Sequence, residues 1–296
     1  MSKNLKYLTK NLEELGIKIE SLENFNEGLE STILKAYSIK EKRDVAIKIP
    51  KEIIFNNDND QNFSAMSLYT QEYQLLSYLK NMSFPVPEIF HFESSNNIPF
   101  IIMELLTDIS KLTEKDFYSI GQLTRTLHSF KAPEINLVAM EGFTNINELI
   151  IYRLYKRFDI LTHFGFSENS LPPISLLSSS INHLEDEKSL LHMDVRPQNI
   201  LKRYDSNFLF TDWSNALIGY PVLEIARLQE YGECFHEFME GYGEMPKVEK
   251  LSMLVYQLDT AIMLSVVFLS EEPDPIRADI QLKRVSSILK EIKREL

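Results

Sequence analysis

The chain of 296 residues contains one cysteine, Cys234, so no disulfide can close within it, and a reducing cytoplasm fits that usage. Long apolar runs are also missing. The most apolar stretch, 261–269, covers about nine residues where a membrane span needs roughly 20, so it reads as a buried helix and no membrane partner is expected. Basic residues are in deficit, with 31 Lys plus Arg against 43 Asp plus Glu and a net charge of −12. The charge disfavours nucleic acid, whose phosphates want a basic face, and leaves cationic ligands compatible, though such acidity also serves solubility alone. The six histidines are scattered, and Cys234 with His236 is too little for a zinc site. The start, Met1-Ser2-Lys3-Asn4-Leu5-Lys6, leads into an amphipathic pattern, so no signal peptide is expected. Repeats and low-complexity segments are absent.

What is present is an apolar fraction of 44%, enough for a sizeable core, over a length that suits one large domain or two lobes. Leu5, Leu8, Leu12 and Leu15 recur at helical spacing before Gly16. Extended segments are predicted at 17–25, 33–37 and 45–49, with a polar turn over 24–32, which together make an antiparallel meander. A helix is predicted over 64–79, then strands after Pro85-Val86-Pro87 and at 100–103, separated by a turn at Asn96-Asn97. From Thr113 the pattern is helical, with segments at 146–157, 176–184, 222–241, 248–269 and 275–296. The arrangement is α+β, with a first lobe over 1–104 and a mostly helical second lobe over 105–296.

The most informative stretch is His192-Met193-Asp194-Val195-Arg196-Pro197-Gln198-Asn199, followed by Thr211-Asp212-Trp213. Between them, Ile200-Leu201, a polar turn Tyr204-Asp205-Ser206-Asn207 and Phe208-Leu209-Phe210 read as a short hairpin. Such a hairpin returns Asp194 and Asn199 to the same edge as Asp212. One aspartate to accept a proton, with an asparagine and a second aspartate to hold magnesium, is the residue set that phosphoryl transfer needs; taken alone, the same pattern also fits a buried hydrogen-bonded corner with Asp212 capping a turn.

Lys48 lies inside the Val45-Ala46-Ile47-Lys48 strand, the pattern in which a strand lysine reaches nucleotide phosphates. Glu72 falls four residues after Leu68 and three before Leu75, toward the packed face of the next helix, where it can hold Lys48; the alternatives are a lysine on an exposed sheet face and a glutamate on an exposed helix face. The strand ending at Glu104-Leu105-Leu106 can offer the Glu104 carbonyl and the Leu106 amide to an adenine edge, or be an ordinary strand end.

With Lys48, Glu72, Asp194, Asn199 and Asp212 in this order, the chain resembles the aminoglycoside phosphotransferase family over roughly residues 20–245. The resemblance implies a bilobal, protein-kinase-like fold and a small-molecule kinase using Mg2+ and ATP, with GTP open. It implies Asp194 as base, Asn199 and Asp212 as metal ligands, Lys48 held by Glu72 at the phosphates, and His192 as a structural residue. Gly28 and Ser31 would belong to the phosphate loop, which departs from a glycine-rich run. A second departure is Glu224 where many relatives have aspartate after the Gly219-Tyr220-Pro221 turn. No Phe-Gly pair follows Asp212 and no Ala-Pro-Glu follows later, which argues against a protein kinase.

The acidic run Glu230, Glu233, Glu237, Glu240 and Glu244 holds no lysine or arginine between Arg227 and Lys247. Its last four members share one face if a helix continues there. That face either binds a cationic, hydroxylated substrate such as an aminoglycoside-like amino sugar, with antibiotic resistance as the role, or is a solvated surface. A metabolite kinase (choline, ethanolamine, homoserine or sugar) and a non-catalytic binding protein on the same fold stay open, as does monomer against dimer.

Overall fold

Period-two burial in the first third of the chain builds an antiparallel sheet with two different faces. The computed structural model describes residues 3–60, 62–94, 98–107, 109–167, 171–181, 188–203, 207–232 and 234–296. The turn read at 96–97, and residues 204–206 of the turn read at 204–207, lie outside the described residues. In chain order the elements begin with α1 (Lys3–Glu14), β1 (Glu23–Glu27), β2 (Ser31–Ser38), β3 (Arg43–Pro50), β4 (Ile54–Phe55) and β5 (Phe63–Ser64). They continue with α2 (Ala65–Asn81), β6 (Ile89–Glu93), β7 (Phe100–Glu104) and β8 (Ile109–Ser110). Next come α3 (Asp116–His128), α4 (Ile146–His163), α5 (Ile174–Ile181), β9 (Ser189–Leu191), β10 (Ile200–Arg203), β11 (Phe208–Phe210) and β12 (Leu217–Gly219). The chain ends in α6 (Pro221–Tyr231), α7 (Phe235–Tyr242), α8 (Lys250–Val266) and α9 (Pro275–Glu295).

The main sheet has the order β1-β2-β3-β7-β6. One face puts Ala36, Val45, Ile47, Phe100 and Ile102 against Leu8 and Leu12 of α1. The other puts Ala46, Ile101 and Met103 against Leu68 and Tyr69 of α2. Strand alternation therefore sends Lys48, two positions after Ala46, to the α2 side. Helix α2 starts where Ser64 accepts the Ser67 amide, a side-chain cap that satisfies one orphan donor. The strand β1 extends to Glu27, so the turn expected over 24–32 narrows to 28–30. Asn24 pairs with Leu34, and Glu27 with Thr32, so the polar side chains here decorate an exposed edge strand.

The described residues form two compact units: Met1–Phe55, Asn62–Leu112 and Asp194–Ser214 in the first, Asn56–Gln61, Thr113–Met193 and Asn215–Leu296 in the second. A single boundary after Glu104 is thus corrected to an interleaved division, and the cause is physical. β10 pairs with β8, Lys202 opposite Ser110, which carries the hairpin into the first unit. Ion pairs from Arg153 and Arg157 to Asp60 carry 56–61 into the second.

The second unit packs α4, α6, α8 and α9 around Leu154, Val222, Leu258, Ile262 and Ile288. The apolar 261–269 run sits in a longer helical stretch, Lys250–Glu271, of 22 residues and mean hydropathy 1.7, long enough to cross a membrane, but with 78% of its apolar window buried in the protein. The helix expected over 222–241 is two helices. Gly232 closes α6 in the left-handed region at φ 74°, and Cys234 at φ 50° opens α7.

Candidate functional site

The first unit brings together the side chains singled out from the sequence. Lys48 Nζ lies 2.9 Å from Glu72 Oε1 and 2.7 Å from Oε2, and 3.6 Å from Asp212 Oδ1. Lys48 and Glu72 are buried, whereas the Asp212 side chain is 46% exposed. Burial opposes the charge on Lys48, yet the Glu72 and Asp212 carboxylates outweigh it and hold the ammonium well above its ordinary range. Tyr69 lies beside this ammonium at 5.9 Å, and its hydroxyl donates to Ser31 Oγ at 3.2 Å. Burial raises the Tyr69 phenol.

The stretch after β9 supplies the second half. Asn199 donates Nδ2 to Asp194 Oδ2 at 2.6 Å and to the Asp194 carbonyl at 3.0 Å. Arg196 approaches both carboxylate oxygens, Nε at 2.6 Å from Oδ1 and Nη2 at 2.8 Å from Oδ2. Asp194 is therefore fixed in a buried corner by two neighbours within five residues, a forked guanidinium being well shaped for a carboxylate. The β10–β11 hairpin forms as expected, Ile200 opposite Phe210. At its open end Thr211 donates its amide to the Asn199 carbonyl at 2.9 Å and its hydroxyl to the same oxygen at 3.1 Å. This closes the gap between Asn199 and Asp212, and Asp212 takes a left-handed backbone at φ 59°.

These donors fit magnesium. The Asn199 amide nitrogen is spent on Asp194, so its Oδ1 is the atom that would face a metal, and Asp212 presents an accessible carboxylate. Among the described residues no group of three or more His, Cys, Asp or Glu could hold a metal. Magnesium does not require one, since it keeps waters and takes substrate phosphates beside one or two protein oxygens.

In the second unit, Glu224 is buried and accepts the His192 amide at 3.3 Å, the Met193 amide and His128 Nε2 at 2.7 Å. His128 Nδ1 meets the Tyr242 hydroxyl at 2.9 Å. Burial pushes the Glu224 carboxyl up, but the His128 and His192 contacts and the Met193 amide outweigh it and hold it below its ordinary value. Glu224 thereby pins the backbone just before Asp194, where Met193 adopts φ 63°. Sequence reasoning noted Glu224 only as a departure and missed Gln71, Tyr69 and Arg196. The Arg196 signal was present, two residues after the aspartate it clamps.

Other expected positions fare differently. Gly28 and Ser31 close the β1–β2 turn, with the Gly28 amide bonded to the Ser31 carbonyl at 2.9 Å. The Glu104 side chain is taken by Arg203, and its amide donates to the Glu88 carbonyl at 2.8 Å. Leu106 lies just past β7, partly buried. The acidic run is split between elements, Glu230 on α6 and Glu237 and Glu240 on α7. Glu230 is gripped by Arg284, with Nε and Nη2 at 2.8 and 2.7 Å, a cation from α9 that local sequence could not reveal. Glu233 lies outside the described residues. Glu237 and Glu240 sit on the short α7, Glu240 3.3 Å from His236, and Glu244 falls beyond that helix.

No curated protein matches the chain in a sequence search. Solved structures do, at low identity and therefore as evidence of fold. A fructosamine-3-kinase candidate from Haemophilus somnus 129PT is 17% identical, covering 95% of this chain and 96% of that one, with a TM-score of 0.68. Choline kinase LicA from Streptococcus pneumoniae is 15% identical over 98% and 100%, with a TM-score of 0.60. A thermostable mutant of aminoglycoside phosphotransferase APH(4)-Ia, in ternary complex with ADP and hygromycin B, is 14% identical over 96% and 97%, with a TM-score of 0.64. The fold is the protein-kinase-like fold of these enzymes. The model of the phosphotransferase enzyme family (APH) matches residues 60–251, about two thirds of the sequence. The chain belongs to that family, small-molecule kinases that phosphorylate hydroxyl groups.

Proposed function

We propose that the protein transfers the γ-phosphoryl group of ATP to a hydroxyl of a small, cationic molecule of the amino-sugar class, in a magnesium-dependent reaction. The observation that carries the phosphotransfer reading is the Lys48–Glu72 ion pair with Asp212 on the same ammonium. Phosphoryl transfer asks little covalent chemistry of a protein and much positioning and charge neutralisation. Lys48, oriented by Glu72, binds phosphate oxygens. Asp194, aimed by Arg196 and Asn199, accepts the proton of the acceptor hydroxyl. Asn199 and Asp212 hold magnesium, which when bound neutralises charge on the phosphates. The Glu104 carbonyl and Leu106 amide meet the adenine edge, while Gly28 and Ser31 cover the phosphates. The single Cys234 supports a reducing, cytoplasmic setting.

The amino-sugar acceptor is supported by the net charge of −12. The neighbour bound to hygromycin B belongs to the same fold. A metabolite alcohol is the second reading, because Arg284 neutralises Glu230 and the acidic run does not form one helical face. Phosphate-release and mass-shift assays with ATP and GTP over aminoglycosides, macrolides and small amino alcohols decide the acceptor. Asp194→Ala is expected to lose about 10²–10⁴ in turnover while keeping nucleotide binding. Unchanged turnover in that variant would sink the assignment.

A further inference from the structure

Arg203 holds both ends of the connection that carries Leu106. The chain leaves β7 at Glu104 and enters β8 at Ile109. Residues 105–107 between them have no regular structure, and Asp108 lies outside the described residues. A connection without its own ladder or helix bonds keeps one conformation chiefly through what fixes its ends. The near end is held by the Arg203 side chain, whose Nη2 donates to Glu104 Oε1. The far end is held by the Arg203 backbone, since Arg203 stands opposite Ile109 in the antiparallel β10–β8 ladder, with Lys202 opposite Ser110 beside it.

Three features make this more than a surface ion pair. First, Arg203 is itself anchored, its amide donating to the Asn207 carbonyl at 2.8 Å. Second, both oxygens of the Glu104 carboxylate are engaged. Oε2 accepts the Glu88 amide at 3.3 Å, while the Glu104 amide donates to the Glu88 carbonyl at 2.8 Å. The Glu104 side chain is only 17% exposed, so the pair is better shielded than exposed ones, which contribute about 0–1 kcal/mol. Third, β10 is four residues long, with Asn199 just before its start and Arg203 at its end. One short strand therefore joins a proposed metal ligand to the clasp on the 104–109 connection.

We propose that Arg203 is a positioning residue for the nucleotide base. It keeps the 104–109 connection in the conformation in which the Glu104 carbonyl and Leu106 amide meet the base. The inference rests on the adenine-edge reading given under the proposed function. A preorganised connection binds the base without the loss of freedom that a loose one suffers, so the clasp acts on affinity for the base. The phosphate contacts of Lys48 do not pass through it. The guanidinium fork suits a carboxylate, whereas lysine at the same position keeps the charge with a point-like donor.

The test uses the full chain and separates base from phosphates by comparing ATP with inorganic tripolyphosphate, both with magnesium, in calorimetry. The unaltered chain is expected to bind ATP more tightly than tripolyphosphate. Arg203→Met should weaken ATP at least ~10-fold, about 1.4 kcal/mol, and leave tripolyphosphate within about twofold. It should also raise the nucleotide KM more than it lowers kcat. Arg203→Lys recovers part of the ATP affinity. Glu104→Gln weakens ATP in the same selective way, and adding it to Arg203→Met brings little further loss, because the two act through one contact. A ratio of ATP to tripolyphosphate affinity that Arg203→Met leaves unchanged overturns the clasp, while the adenine-edge reading stands. ATP bound no more tightly than tripolyphosphate by the unaltered chain removes that reading and the clasp with it. If Arg203→Met does not fold, Arg203→Lys and Glu104→Gln decide by the same ratio: a fall supports the clasp and an unchanged value overturns it.

Discussion

Gln71 donates its side-chain amide to the backbone carbonyl of Trp213 at 2.8 Å, and to that of Ser214 at 3.2 Å. Gln71 is one residue before Glu72, and Trp213 one residue after Asp212. A single buried amide therefore couples the helix that orients Lys48 to the backbone that presents Asp212. Gln71→Leu removes this donor from buried carbonyls, at a cost of about 1–3 kcal/mol in stability. The expected signature is a lower Tm together with a raised KM for nucleotide. A fall in Tm with unchanged nucleotide kinetics would reduce Gln71 to packing.

Lys48 and Glu72 are both buried, so the loss of one partner strands a charge. Glu72→Leu is expected to destabilise by about 3–5 kcal/mol in denaturant unfolding. Lys48→Met with Glu72→Leu recovers much of that loss, since a hydrophobic pair of similar volume replaces a desolvated ion pair, yet nucleotide turnover stays abolished. Recovery of turnover in the double variant would contradict the assignment of Lys48 to the phosphates.

These relationships differ in how far they could be read from the chain. Lys48 and Glu72 were legible because strand alternation and helical spacing are local rules, and each side chain obeys its own. The hairpin between Asn199 and Asp212 was legible for the same reason. The acidic run is split because the helix breaks at Gly232 and Cys234, both in the left-handed region. Its first member was lost to Arg284, 54 positions away. The segment at Asp60 meets α4 nearly a hundred residues on, and no local pattern carries that information.

Glu224 holds the Met193 amide in a left-handed backbone that costs a non-glycine residue about 1 kcal/mol or more. Its carboxyl lies below the ordinary 4.5 when folded. Its contribution to stability is thus fully present above that value and fades as pH falls through the lower folded value. Stability measured against pH is expected to decline on the acid side of 4.5, and Glu224→Gln to flatten this limb while lowering stability near neutrality. Because the side chain acts through Met193 on Asp194, Glu224→Gln should lower kcat more than it raises the nucleotide KM. An unchanged acid limb would contradict the depressed carboxyl, and equal effects on both constants the positioning role.

Helices α3 and α7 cross at two glycines. A methyl group at Gly241 would stand 1.8 Å from the Tyr118 carbonyl oxygen, and one at Gly121 2.1 Å from that of Phe238. Both obstacles are backbone, so neither can be relieved by a side-chain rotation. Overpacking of this kind costs about 1–3 kcal/mol where the core yields and more where it cannot. Gly241→Ala and Gly121→Ala are each expected to lower Tm, and the double variant to cost less than the sum, because the first forced separation of the helices already makes room for the second methyl. The same separation shifts Tyr242, whose hydroxyl meets His128 beside Glu224, so kcat should fall in step with Tm across the series. Full activity in a folded Gly241→Ala variant would show that the α3–α7 crossing is uncoupled from the loop that carries Asp194.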